Sequence, residues 1–375
     1  MNPLHSNSYS ARKHALMTHG SKIGVAAAFL ISLFAGGCAT TVFDAPVRVE
    51  RAEEQDETLS WWRLPDRSGR FEPRQVADAS PALMPSPSIS LTDAREPAPK
   101  DLYERMRRGF SLPELNTARV RQRQTWYAQR PELVQRILER ANRHLFHILE
   151  EIELRKMPAE LALVPFIESG FDAQAVSSAQ AVGLWQFMSF TATRYKLRLD
   201  DLRDERRDVL ASTSAALDYL ADLYAMFGDW QLALASYNWG EKAVARAVER
   251  NRAQGRPVSY SNLTLPDETA DYVPKLQAVK NLLLNPGPLA AMLPPLPNQP
   301  YLGSTRLPAE LALRDALRFS GLTPGQFTAL NAAFNGATIP QGDRIVLPLE
   351  RLGEFETRAR EHLARRPPPP PRKRQ

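Results

Sequence analysis

Ala162-Leu163-Val164-Pro165-Phe166-Ile167-Glu168-Ser169-Gly170-Phe171 holds a single carboxylate, Glu168, in a stretch that is otherwise apolar or small. Poor solvation disfavours the charged form of such a group, so its pKa is expected to rise. A carboxyl that keeps its proton near neutral pH can act as a general acid. Taken alone, a glutamate near a helix end is a solvated surface residue or a cap. Two later segments change that reading. Gly183-Leu184-Trp185-Gln186 and Ser236-Tyr237-Asn238-Trp239-Gly240 mix aromatic surface with amide and hydroxyl groups. An acid, flat apolar faces and a few neutral hydrogen bonders are what a groove that cleaves glycosidic bonds requires.

Outward from this stretch the pattern is helical. In Pro131 to Leu154, residues Val134, Ile137, Leu138, Ala141, Leu145, Ile148, Leu149 and Ile152 recur at three- and four-residue steps, which predicts one amphipathic helix with Pro in its first turn. Pro158 opens the next helix, which delivers Glu168 near its end, and Gly170 marks the break. Leu210, Leu217, Leu220, Tyr224 and Phe227 line one face of a helix that Gly228 ends. Trp230 to Tyr237 is a further apolar helix, and Pro266-Asp267-Glu268 starts the one that carries Tyr272. Residues 101–286 are therefore expected to be nearly all helix. Pro286 to Pro300 is a Pro-rich connector. Residues 301–350 read as an extended piece, two helices (Ala309 to Phe319, Pro324 to Asn331) and a final strand, Arg344 to Pro348.

The order of the Glu-Ser pair, the Gly-Leu-Trp-Gln block and the Tyr-Asn block resembles the lytic transglycosylases of the lysozyme superfamily. The resemblance implies a mainly α fold, with a lysozyme-like helical catalytic domain at 101–286. Residues 301–350 resemble a degenerate LysM module, a small α+β fold that binds the N-acetylglucosamine backbone; the alternative is a purely structural accessory domain. In that family one glutamate, here Glu168, protonates the oxygen between N-acetylmuramic acid and N-acetylglucosamine. It then accepts the proton of the muramoyl C6 hydroxyl, leaving a 1,6-anhydromuramoyl end. By position, Ser169 would orient the acid, Gln186 would contact the sugar, Tyr237 would hydrogen-bond Glu168 or the N-acetyl group, and Asn238 would support the groove wall. Tyr272 would line the site. Trp185 would stack on a sugar ring or pack in the core. Gln180 and Ser189 stand where relatives often have Gly and Pro, and Lys242 where they have Gly.

A hydrolase on the same fold would pair two carboxylates. Asp172 and Glu241 are the nearest candidates, and a turn or capping role suits both better than that of a nucleophile. A lysozyme-type hydrolase and a non-catalytic wall-binding lipoprotein remain the alternatives. No metal or cofactor site is expected. Of the six histidines, His144 and His147 share one helix face with no third ligand, which reads as helix surface.

The ends of the chain carry an address. Arg12, Lys13 and Lys22 precede a twelve-residue apolar stretch, Ile23 to Phe34, too short to span a bilayer. Ala35-Gly36-Gly37-Cys38 follows, and Cys38 is the only cysteine. This resembles a bacterial lipoprotein processing site, with residues 1–37 removed and Cys38 lipidated. Ala39 rather than Asp after the Cys implies the periplasmic face of the outer membrane. Residues 38–100 read as a Pro-rich tether and 351–375 as a basic Pro-rich tail. Without the leader, 45 basic residues face 42 acidic ones, a net charge of +3. With no basic run interleaved with aromatics, this excludes nucleic acid as the main partner and suits anionic peptidoglycan and lipid headgroups.

Overall fold

The computed structural model describes residues 97–365; the leader, Cys38, nearly all of the expected tether and the final prolines lie outside the described residues. The described chain is mainly α, a helical body followed by a small α+β unit.

The body runs through α1 (Leu102–Gly109), α2 (Ala118–Ala128), α3 (Pro131–Ala141), α4 (Leu145–Leu154), α5 (Val164–Glu168), α6 (Ser189–Arg194), α7 (Val209–Phe227), α8 (Trp230–Trp239), α9 (Glu241–Ala253) and α10 (Asp267–Leu284). Aspartates start several of these helices by accepting from otherwise unpaired backbone N–H groups. Asp101 takes Glu104 N at 2.7 Å, Asp208 takes Leu210 N and Ala211 N at 3.0 and 2.9 Å, and Asp229 takes Gln231 N at 2.7 Å. Gly228, at φ +63°, closes α7 in the left-handed conformation that glycine adopts without steric cost.

The single helix expected over 131–154 is two helices, separated by a turn at Asn142–His144. Three residues are nearly one helical turn, so the apolar spacing stays in phase across the break and periodicity alone does not reveal it. His144 is 2 % exposed within the core and not on the helix surface. Burial, with the charges of Arg143 and His147, pushes its pKa down to about 3, so it is neutral.

The segment before Glu168 begins as a 3-10 turn, Ala159–Leu163, and tightens into α5. Ala162, Leu163, Val164 and Phe166 are buried against the rest of the body core. Glu160 is also fully buried, which is tolerable because it accepts from Ser111 N and Leu112 N at 3.0 and 2.9 Å and pairs with Lys280 at 3.0 Å. α10 is thus bonded to the segment that presents the acid. The Pro-rich connector packs on the body, with Leu289 and Leu296 buried and Leu102 N donating to Leu296 O at 2.8 Å.

The C-terminal unit comprises β1 (Leu302–Arg306), β2 (Leu311–Ala312), α11 (Leu313–Ser320), α12 (Pro324–Leu330), β3 (Thr338–Ile339), β4 (Arg344–Pro348) and α13 (Leu349–Ala364). β1 and β4 pair antiparallel, Leu302 opposite Pro348 and Arg306 opposite Arg344, and β2 pairs with β3. Buried Asn331 acts as a further rung, exchanging two hydrogen bonds with the backbone of Val346 at 2.7 and 2.9 Å. Leu311, Ile339, Ile345, Leu347 and Phe355 form the core of this unit. The tail expected from residue 351 is instead helical to Ala364. The charged pattern hid an apolar face, Phe355 and Ala359, which this core buries.

Candidate active site

Glu168 is the last residue of α5 and is half-buried. Its Oε1 accepts a 2.6 Å hydrogen bond from Tyr272 Oη, delivered by α10. Burial, followed by the negative charge of Glu168 and the nearness of Tyr237, pushes the Tyr272 phenol well above its ordinary value. Tyr272 therefore holds its proton and acts as the donor.

Tyr237 occupies a different place from the one expected. Its hydroxyl donates to the carbonyl of Trp185 at 2.8 Å, so Tyr272 is the tyrosine that bonds the acid. Tyr237 is still close enough to sense Glu168: its phenol is raised by burial first and by that carboxylate second. Behind it the ring of Tyr219 lies 5.4 Å away, and Tyr195 a further 5.1 Å beyond. Three phenols thus back the acid on one side.

Trp185 corrects the stacking expectation. Its indole is fully buried and its Nε1 donates to Thr213 Oγ1 at 3.0 Å. A ring enclosed in the core offers no face to a sugar; its backbone carbonyl, held by Tyr237, is its contribution to the site. Ser169, next to Glu168, is also enclosed. It is buried, and donates from Oγ to Leu184 O at 2.8 Å while accepting from Asp172 N at 3.2 Å. Ser169 and Tyr237 thereby fix two successive carbonyls, those of Leu184 and Trp185.

Gln186 follows at φ +50°, partly exposed, with Nε2 donating to Gly183 O at 2.8 Å. Asn238 is half-buried beside the start of α10: its Oδ1 accepts from Thr269 Oγ1 at 2.8 Å and its Nδ2 donates to Glu268 Oε1 at 3.4 Å. Neither Thr269 nor Glu268 was expected at the site; Glu268 reads only as part of a helix start. The only cue was their place one turn ahead of Tyr272.

The possible second carboxylates are both engaged. Asp172 Oδ1 accepts from Gln174 N at 2.9 Å in the turn after Glu168. Glu241 pairs with Arg194 at 2.8 Å and accepts from Tyr219 Oη at 3.0 Å. Burial would raise its pKa, but its own N–H at the start of α9, Arg194 and Tyr219 together hold it below the usual range. It is an ionised anchor between α6, α7 and α9.

The departures from the family pattern also have a physical reading. Gln180 adopts φ +63°, the conformation for which glycine is the easier residue. Ser189, in place of proline, presents an Oγ that accepts from Arg206 at 3.0 Å.

The site thus centres on a half-buried glutamate at the end of a short helix, bonded to a buried tyrosine, beside a loop whose carbonyls Ser169 and Tyr237 hold. The segment that builds most of it, residues 150–258, matches the family model of the Transglycosylase SLT domain. Over 231 residues the chain is 34% identical to the membrane-bound lytic murein transglycosylase D of Escherichia coli, an alignment covering 61% of this chain and 51% of that protein. It is also 41% identical over 122 residues to a protein of an Alteromonas species named for tributyltin chloride resistance, covering 32% of this chain and 59% of that protein. The chain thus spans about half the length of the murein transglycosylase it matches.

Proposed function

We propose that this protein is a peptidoglycan lytic transglycosylase in which Glu168 serves as acid and then base. The observation that carries the reading is the Tyr272–Glu168 hydrogen bond at the end of α5, inside a helical body whose central segment matches the Transglycosylase SLT domain. Protonated Glu168 gives its proton to the oxygen between N-acetylmuramic acid and N-acetylglucosamine as the C1–O bond breaks. Positive charge at C1 is stabilised by the substrate's own N-acetyl oxygen. The muramoyl C6 hydroxyl then attacks C1 and returns its proton to the Glu168 carboxylate, so no water is consumed and the enzyme ends as it began. Tyr272 keeps the carboxyl in one orientation through both transfers. Gln186 and Asn238 line the groove, and the LysM-like unit at 301–350 holds the same glycan outside it.

Under this reading the chain acts on the glycan strands of the cell envelope. Lipidation at Cys38 would hold it at the periplasmic face of the outer membrane. Digestion of purified sacculi followed by mass spectrometry tests the chemistry. Products lighter by one water than the hydrolytic ones are expected, and reducing muramic ends would refute it. Glu168→Gln is expected to abolish release, since general acid–base catalysis contributes about 10²–10⁴-fold.

A further inference from the structure

The loop that carries Gln186 is held from two directions. Ser169 and Tyr237 grip the carbonyls of Leu184 and Trp185 from the side of the acid. From the other side comes the 3-10 turn Glu205–Arg207. Arg206 Nη1 lies 3.0 Å from Ser189 Oγ and 3.4 and 3.5 Å from the carbonyls of Gln180 and Phe187. Arg207 Nη1 donates to Gln174 O at 3.1 Å. The Arg206 carbonyl packs so tightly on Gly183 that a Cβ there would sit 1.9 Å away.

That turn is in its own right tied to the C-terminal unit. Asp204 N donates to Ala333 O at 2.8 Å and Asn335 N to Leu202 O at 3.0 Å, an antiparallel bridge centred on Arg203 and Phe334. The Arg203 guanidinium lies 4.8 Å from the centre of the Phe334 ring and is only 3 % exposed. It pairs with Asp208, the cap of α7, with Glu205 at 3.2 Å, and with Asp343 of the C-terminal unit at 3.4 Å. Asp343 also takes Arg198 at 3.2 Å. A buried guanidinium needs these carboxylates, because removing one leaves an under-compensated charge that the segment must move to solvate.

We infer that the C-terminal unit is a clasp for the groove loop. Asp343 and the 333–335 backbone position the segment 198–208, whose Arg206 and Arg207 in turn position the loop that presents Gln186. Asp343, Arg203 and Arg206 are positioning residues, and the unit supports the site mechanically, whatever it binds. That this loop lines a catalytic groove rests on the function proposed above; the mechanical coupling does not.

Hydrogen exchange on the full-length protein tests the clasp. The amides of Val182, Gly183 and Phe187 are all bonded within the loop, so they report its opening. In Asp343→Ala their exchange is expected to accelerate about tenfold while the amides of α10 keep wild-type rates. Arg198→Gln, at a side chain 36 % exposed, is expected to give a smaller acceleration with the same pattern, and it carries the comparison alone if Asp343→Ala does not fold. Unchanged loop exchange, or equal acceleration throughout the body, overturns the clasp. Glycan release measured in parallel is expected to show a lowered kcat with the loop change. A protein that never releases glycan, yet shows the local acceleration, would refute the activity and leave the clasp standing.

Discussion

Tyr272 Oη lies 2.6 Å from Glu168 Oε1, a bond that joins α10 to the end of α5 across 104 positions of sequence. The phenol is buried and its pKa is raised, so at neutral pH it keeps its proton and donates it to this bond. Tyr237, close to both, spends its proton on the Trp185 carbonyl instead. Two tyrosines that look equivalent in the sequence therefore have separate tasks, one holding the acid and the other holding the loop beside it.

That division predicts opposite signatures for two conservative changes. Tyr272→Phe removes the group that orients Glu168 and is expected to lower kcat by about tenfold or more with KM little altered. Tyr237→Phe leaves the acid's bond intact and orphans a buried carbonyl, so it is expected to cost roughly 1–3 kcal/mol of stability. Steady-state kinetics with urea midpoints for both variants separate the effects. Equal loss of kcat in the two would show that the Tyr272 bond has no special place in turnover.

The sequence made the helical body readable because apolar spacing, prolines and capping aspartates agree with one another there. Glu168 stood out for the same reason, as one charge in an apolar segment. The roles around it were not legible, because they depend on which helix faces which. Whether Trp185 meets a sugar or the core is decided by Thr213, 28 residues later. Which phenol reaches the acid is decided by the packing of α8 against α10. α13 was missed because its exposed faces dominate its composition, with Arg358 paired to Glu354 and only Phe355 and Ala359 fully turned inward.

The cluster of buried phenols predicts a sharp alkaline limit. Tyr219, Tyr237 and Tyr272 are all raised above the ordinary value of 10.0, burial being the largest cause in each. A group whose pKa is higher folded than unfolded contributes stability that is complete below the unfolded value and lost as pH rises towards the folded one. Stability is therefore expected to be insensitive to these groups up to about pH 10. Above that it should fall by about 1.4 kcal/mol per pH unit for each such tyrosine. Tyrosinate absorbance and far-ultraviolet circular dichroism should change together. Ionisation of all the tyrosines near pH 10 with the helical signal intact would contradict the burial.

His144 sets a limit at the acid end. Burial, Arg143 and His147 lower its pKa from 6.5 to about 3, and its Nδ1 has no hydrogen-bond partner among the described residues. Here the folded value lies below the unfolded one. Its contribution is complete above about 6.5 and is lost progressively as pH falls towards 3. His144→Leu removes the proton uptake that drives this loss. Between pH 7 and pH 4 the wild type is expected to lose up to about 3 kcal/mol more than the variant. Denaturant melts at the two pH values measure the difference, and parallel losses would place the imidazole in contact with water.

Gly183 concentrates the demands on the loop at one Cα. At φ +84° a side chain is already strained, and the atom that a Cβ would meet is a backbone carbonyl, Arg206 O, which cannot rotate away. Gly228 offers the matched comparison, because it has φ +63° with nothing within 4 Å of the built Cβ. Gly228→Ala should then cost only the conformational penalty, about 1 kcal/mol. Gly183→Ala should cost about 3 kcal/mol or more and displace the turn at Arg206, lowering turnover even in the molecules that remain folded. Denaturant midpoints and kcat for the pair decide the matter: similar costs at the two sites would mean that Arg206 does not bear on Gly183, and the groove loop would lose its support on that side.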